Sequence, residues 1–481
     1  MASTKSYSQF IALDPEAVWQ VLGDPSRLPE WHSGYRSVSL HDPIQVGGRG
    51  AYVQTHKIAG PLHRRLAPPF EITIVDAGRH LQLTQPEPVG AAVIDFRLTP
   101  ATSGCVMTET VTTTATSGTM SRTLLAGTPH LTDRADFARL AHLAGLAPAD
   151  DALNVVIAGG SGALGRHLAA DLSCRGHRPV ILTRSPDTAT PFEQIEWDGR
   201  TVGDWADVLT ADRPTAVVNL AGKLVDCRPT ERNVARLRDS RVNATRALVT
   251  ASKQRDTPIR HWLQASTTAI WSDAGEQWCT ENTPLPDGLP QMTGVAQPWE
   301  DAVEGAHSDH LVILRTSIVL DGQAPAMKRL ADLTRAGLGG RVGSGRQWFS
   351  WIHIDDWLAI ARAALGLDPD ITIPDGVVVG ASPNPVRNTE LMAALRRALH
   401  RPPAPPTPAP LLRLGAIVLR TDPALGLTGR RARSQVLVDV GFEFRFPELD
   451  GALADLLGRS GRGQWVTPAG VTAGASAADP H

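Results

Sequence analysis

Three glycines spaced three apart, Gly159, Gly162 and Gly165, stand between an apolar run at 155–158 and a helical pattern carrying Leu164, Leu168 and Leu172 on one face. Residue type and spacing together suit phosphate chemistry. Gly159 permits a tight turn, Gly162 lets the backbone approach a pyrophosphate, and Gly165 allows close packing of helix on strand, while the helix N-terminus offers unpaired N–H groups to the anion. Ser161, Ala163 and Leu164 complete that turn. A second apolar run at 179–182 follows, so the unit reads strand, turn, helix, strand: a dinucleotide site. After the second strand an acidic residue would bond a ribose 2′-hydroxyl, whereas an arginine accommodates a 2′-phosphate. This chain has Arg184. The expected cofactor is therefore NADP(H) rather than NAD(H).

The elements that must hold such a site continue the same alternation. Apolar strands at 214–219, 261–265 and 311–314 are separated by helical stretches, of which 231–252 is the longest. The fold class expected is α/β, a doubly wound parallel sheet of the Rossmann type with a small C-terminal domain. Ligands of such sheets bind beyond the carboxyl ends of the strands. That places Asn219, Ala221, Gly222, Ser266 and Arg315 around the crevice.

Residues 1–146 read differently. Asp14 and Pro15 open a helix carrying Val18, Trp19, Val21 and Leu22, and six strand-like runs between 37 and 114 are broken by Gly, Pro or Asp, as in an antiparallel sheet. The segment DPEAVWQVLGDPSRLPEWHSG, with Pro15, Val18, Trp19, Asp24, Pro25 and Trp31, resembles the START-like (SRPBCC, polyketide-cyclase/dehydrase) α+β helix-grip fold. The resemblance implies an apolar ligand enclosed between sheet and helix. His32, His56, His63, Asp95 and Glu109 are candidates to line that space, against the plainer reading of satisfied or exposed side chains.

From 154 to 458 the segments NVVIAGGSGALGRHL, VVNLAG, SRVNATRAL, LRTSIVL, GSGRQWFSWIHIDD and ASPNPVRNTELMAALRRAL resemble, in this order, the atypical extended short-chain dehydrogenase/reductases called the epimerase family, which end in a small domain of unknown function. The resemblance implies that 159–165 and 219–222 run along a dinucleotide, and that Arg346, Gln347 and Trp351 border the substrate cleft. The wider superfamily uses a tyrosine, a lysine four residues on and a serine. Here the three tyrosines are Tyr7, Tyr35 and Tyr52, and residues 294–300 read GVAQPWE where the pair would fall. Ser266 survives, to hold a substrate oxygen or to cap backbone. Trp271 can orient a ligand but moves no proton. Replacement acids and bases are Glu281, Asp273 and Cys279 after that strand, and His353, Asp355 and Asp356 further on; His353 reads more readily as structural, at a strand entering a capped helix, and Glu281 equally as a substrate contact or a helix cap. Ser266, His353 and Glu281 are the catalytic candidates.

The remainder bounds the function. Across 481 residues the formal charge is −2, with 42% hydrophobic and 20% charged residues, so no basic face marks a nucleic-acid or membrane partner. Four scattered cysteines argue against a zinc site or a disulfide framework. The N-terminus lacks the apolar stretch of a leader, and a cytoplasmic location is expected. The expected organisation is a helix-grip domain at 1–146, a linker at 147–153, the Rossmann domain at 154–380, a small domain at 381–460 and a disordered tail at 461–481. In the C-terminal part a helix at 411–419, a basic turn at 429–434 and a short strand at 441–447 are expected. Two functions compete: an NADP(H)-dependent oxidoreductase or epimerase acting on a small carbonyl or hydroxyl compound, and a non-redox binding protein, isomerase or cyclase using the N-terminal domain.

Overall fold

The computed structural model describes residues 2–55, 69–87, 90–115, 133–149, 151–210, 213–408, 410 and 422–457. His56, His63, the 411–419 segment and the tail from 461 lie outside the described residues.

Strand β1 (Ala2–Ile11) feeds α1 (Pro15–Leu22), where Pro15 fills a first helical position that needs no N–H. Asp14 occupies the N-cap position, but its side chain makes no cap hydrogen bond. The short α2 (Leu28–Trp31) leads into β2 (Tyr35–Leu40), β3 (Arg49–Gln54), β4 (Phe70–Asp76), β5 (His80–Glu87), β6 (Gly90–Ala101) and β7 (Gly104–Ala115). All seven strands form one antiparallel sheet in the order β1-β7-β6-β5-β4-β3-β2, with α3 (Arg134–Leu143) as the closing helix. This is the helix-grip arrangement. Strand alternation sorts the side chains: Ile94, Phe96 and Leu98 enter the core, while Asp95 faces the other way and is covered by His80, Gln82 and Arg97. Asp95 therefore does not line the interior. Glu109, opposite Phe96 in register, does.

The second layer system begins at β8 (Asn154–Ala158), followed by α4 (Ala163–Cys174), β9 (Arg178–Thr183), β10 (Glu193–Glu196), β11 (Thr215–Asn219), α5 (Glu231–Lys253) and β12 (His261–Thr267). Next come β13 (Trp278–Cys279), α6 (Thr293–Asp301), β14 (Leu311–Thr316), β15 (Ile318–Leu320), α7 (Pro325–Leu333), β16 (Trp348–Phe349), β17 (Trp351–His353), α8 (Ile354–Ala364) and β18 (Gly376–Gly380). The main sheet is wholly parallel, in the order β10-β9-β8-β11-β12-β14-β18. Its central strands β8 and β11 are buried at every residue, as a sheet covered on both faces requires.

The C-terminal part is β19 (Val386–Arg387), α9 (Asn388–Ala398), α10 (Ala424–Leu427), β20 (Arg431–Ala432), α11 (Gln435–Asp439) and α12 (Leu449–Leu457). It is tied to the main body by the two-stranded pairs β13-β20 and β16-β19. The strand expected at 441–447 is absent. There the Arg445 and Phe446 N–H groups donate to the Asp356 carboxylate, so the backbone is satisfied by a side chain instead of a neighbouring strand.

The helix-grip and Rossmann parts share one core. Phe137 and Leu140 of α3 pack in the same buried cluster as Leu168 and Leu172 of α4. Polar ties reinforce it: Ala12 N–H donates to Cys174 O at 2.8 Å, Gln9 Nε2 donates to Asp171 at 3.1 Å, and Arg134 pairs with Asp355.

Candidate functional site

The crevice lies beyond the carboxyl ends of β8, β9, β11, β12 and β14. Gly159 leaves β8 with φ +76°, and a Cβ there would stand 2.8 Å from Leu220 O and 2.9 Å from Ala221. A side chain is thus excluded by both conformation and neighbour. Gly165 packs on the turn itself instead of a strand: a Cβ would be 2.4 Å from Gly160 Cα. Gly162 is the N-cap of α4 and supplies no side-chain cap, while Ser161, Gly162 and Ala163 are exposed and Leu164 half-buried. The first N–H groups of α4 consequently face an open crevice, the arrangement a diphosphate fits. Ser161 Oγ accepts from Thr183 Oγ1 at 3.2 Å, which ties the turn to the end of β9, and Arg184 next to it is exposed.

Asn219 acts as a strut. Its Nδ2 donates to Thr245 Oγ1 at 2.8 Å and Gln264 Oε1 at 2.9 Å, and its Oδ1 accepts the Ala221 N–H. That fixes the course of Leu220–Gly222 past the glycine turn. Gly222 itself is exposed.

Ser266, at the end of β12, is buried and donates to Glu300 Oε1 at 2.5 Å. Glu300 in turn accepts two parallel bonds from Arg315 at the end of β14, Nε to Oε1 at 2.9 Å and Nη2 to Oε2 at 2.8 Å. Arg315 Cζ stands 5.0 Å from the ring centroid of buried Trp271, whose Nε1 donates to Thr283 O. Two expected residues, Ser266 and Arg315, are joined by a third, Glu300, and the expected Trp271 lies against Arg315. The sequence signal for Glu300 was indirect: an arginine at the end of a buried strand requires an anion.

The other candidates are dispersed. Glu281 accepts from Val379 N–H at 2.9 Å, Ser434 Oγ at 2.5 Å and Gln435 N–H at 2.9 Å, fastening the start of α11 to β18. Its acceptor sites are spent on structure. His353 is the N-cap of α8: its Nδ1 accepts the Asp355 N–H, and its ring stacks 3.9 Å from that of Phe446. It lines a small cavity with Tyr7 and Arg134 of the helix-grip domain and Asp455 of α12, away from the strand ends. Trp351 is fully buried among Leu391, Leu395 and Leu453. Gln347 Nε2 donates to Val342 O and Gly426 O, and Arg346 is exposed with its carbonyl accepting from Arg387. Burial pushes the Cys279 thiol up to about 11, so it offers no ready thiolate.

Inside the helix-grip domain His32 Nε2 meets Glu109 Oε1 at 3.2 Å, and its Nδ1 lies 3.8 Å from Asp136 Oδ2, all three fully buried. Burial opposes charge on the ring, but Glu109 and Asp136 outweigh it and raise its pKa.

Three family models match: polyketide cyclase/dehydrase and lipid transport at 4–142, the NAD dependent epimerase/dehydratase family at 155–291, and a domain of unknown function at 407–456. The epimerase family protein YfhF of Bacillus subtilis is 31% identical over 317 residues, 63% of this chain and 98% of the relative. The chain belongs to the epimerase family. Human SDR39U1 of that family is 28% identical, over 63% of this chain and its own whole length. Its crystal structure with NADPH superposes with TM-score 0.55 at 27% identity, covering 63% of this chain and 98% of that one. A nucleoside-diphosphate sugar epimerase from Corynebacterium glutamicum, at 21% identity and TM-score 0.57, covers 94% of this chain and 90% of its own, so its fold extends over the helix-grip part too. Among the described residues no helix is long and apolar enough to cross a membrane, and no group of three or more His, Cys, Asp or Glu is placed to hold a metal.

Proposed function

We propose that this family member is an NADP(H)-dependent oxidoreductase or epimerase acting at a carbonyl or hydroxyl carbon of a small molecule. The observation that carries the reading is the uncapped N-terminus of α4 beside a glycine turn that admits no side chain, with Arg184 at the end of the neighbouring strand. The NADPH in the human relative's crystal structure supports the choice of cofactor. A nicotinamide dinucleotide in this crevice supplies hydride exchange with carbon.

The chain's own residues hold and orient. The N–H groups of α4 receive the diphosphate, and the Arg184 guanidinium receives the 2′-phosphate. Ser266 gives its hydrogen to Glu300, which leaves its oxygen lone pairs to accept from a substrate hydroxyl. A proton arriving on Ser266 passes to the Glu300 carboxylate as Ser266 releases its own. Trp271 and Arg315 close that side of the crevice and keep water from the pair.

The testing experiment is to denature purified protein, identify any released nucleotide, and titrate the emptied protein with NADPH and NADH by fluorescence. NADPH binding that is lost in Gly162→Asp is expected. Failure of both nucleotides to bind at millimolar concentration overturns the reading. It would favour a non-redox role for the helix-grip domain, where the buried His32–Glu109 pair is the specific observation in its support.

A further inference from the structure

Arg241 on α5 stands over the loop that follows β11. A Cβ on Gly222 would lie 3.0 Å from its Cγ and Cζ and 3.1 Å from its Nε, so the guanidinium rests directly on a bare backbone. The neighbouring Ser240 Oγ accepts the Lys223 N–H at 3.0 Å, which pins α5 to that loop. On its far side Arg241 Cζ stands 5.0 Å from the ring centroid of Trp299 on α6.

The two arginines of the crevice differ in what neutralises them. Arg315 has the Glu300 carboxylate. Arg241 donates Nη1 to Leu237 O of its own helix at 2.9 Å, and among the described residues it has no carboxylate at ion-pair distance. Burial pushes its pKa down to about 10, as expected for a desolvated cation without a counter-charge. The Trp299 ring beneath it carries a second orphan: Nε1 is buried with no hydrogen-bond partner among the described residues. Buried donors left in this state ask for an acceptor.

Location says which acceptor. Gly222 follows Ala221, and Ala221 is the residue a Cβ on Gly159 would touch at 2.9 Å. Arg241 therefore adjoins the glycine turn itself, one residue along the β11 loop. Resting on the reading that this crevice takes a nicotinamide dinucleotide, we propose that Arg241 is the counter-charge of the dinucleotide's diphosphate, a side-chain anchor working beside the N-terminus of α4. Gly222 is then required because any side chain would lift the guanidinium off the loop.

The test is fluorescence titration of the full chain with NADPH, with inorganic pyrophosphate as competitor. Arg241→Ala is expected to weaken NADPH binding about tenfold or more, the loss of a charge-assisted contact, and to weaken pyrophosphate competition by a similar factor. Arg241→Lys should recover part of the affinity, and Arg241→Gln, which keeps bulk without charge, should not. Thermal melting of each variant separates loss of binding from loss of fold. If wild type binds NADPH and both Arg241→Ala and Arg241→Gln bind it equally well, the inference falls while the cofactor reading stands. If wild type binds no NADPH, the cofactor reading fails first. Should Arg241→Ala unfold, equal affinities in Arg241→Gln and Arg241→Lys would overturn the charge role.

Discussion

Among the described residues two glutamates are buried, Glu109 in the helix-grip domain and Glu300 in the Rossmann domain, and they have different partners. Glu300 is held by the bidentate Arg315 fork, while Glu109 meets an imidazole, that of His32, at Nε2. A guanidinium does not shed its proton, so the cation of the Rossmann cluster is permanent. An imidazole can, so the helix-grip cluster answers to pH. The first arrangement suits a site that must keep Ser266 in one orientation; the second suits an interior whose polarity changes with conditions.

That contrast can be broken by mutation. Glu300→Ala strands a buried guanidinium and should cost about 3–5 kcal/mol in denaturant unfolding, much of it restored when Arg315→Met is added. A loss below about 1 kcal/mol would show the pair to be solvated. Glu109→Gln leaves His32 free to go neutral and should cost less, about 1–2 kcal/mol. An equal or larger loss than for Glu300→Ala would end the distinction.

The pH profile sharpens it. The folded pKa of His32 is raised above 6.5, so its contribution to stability is fully present below that pH and is lost as pH rises through the raised value. The groups facing it are Glu109 from β7, Asp136 from α3, the Gly34 N–H and the Tyr35 ring. Asp136 is also raised, by burial, above 3.8 and shifts stability in the same direction. His32→Gln should flatten the fall in melting temperature on going from mildly acidic to alkaline buffer; parallel curves for the two proteins would refute the link. The smallest effect on stability is expected for exposed Arg184→Asp, within about 0.5 kcal/mol. Its effect should appear instead in titration, as a preference moved from NADPH toward NADH.

The sequence carried the fold well where local patterns decide. Each β-α-β unit, the glycine turn and the antiparallel run of the first domain follow from periodicity and breakers, which act within a few residues. It also supplied Ser266, Trp271 and Arg315 as strand-end neighbours. It did not supply what joins them, since Ser266 and Glu300 are 34 positions apart and meet only after α6 docks on β12. Glu281 and His353 show the opposite: residue types capable of catalysis, taken up by the N–H groups of helix starts. Charge and spacing cannot distinguish a base from a cap until the helix it caps is in place. At 441–447 alternating phenylalanines mimicked a strand, but the Asp356 carboxylate captures the Arg445 and Phe446 N–H groups from a helix 89 and 90 residues earlier in the chain.

The short helix α3 has two allegiances within three residues. Asp136 turns inward to Ser33 and His32, and Arg134 turns outward to Asp355. Its apolar face meanwhile belongs to the core shared with α4. A cut through the proline-bearing stretch at 147–149 would therefore be clean in covalent terms and untidy in every other: the released N-terminal piece would carry an unpartnered arginine and an oily face, and the remainder would bare the matching surface of α4. The linker joins the two halves without dividing them.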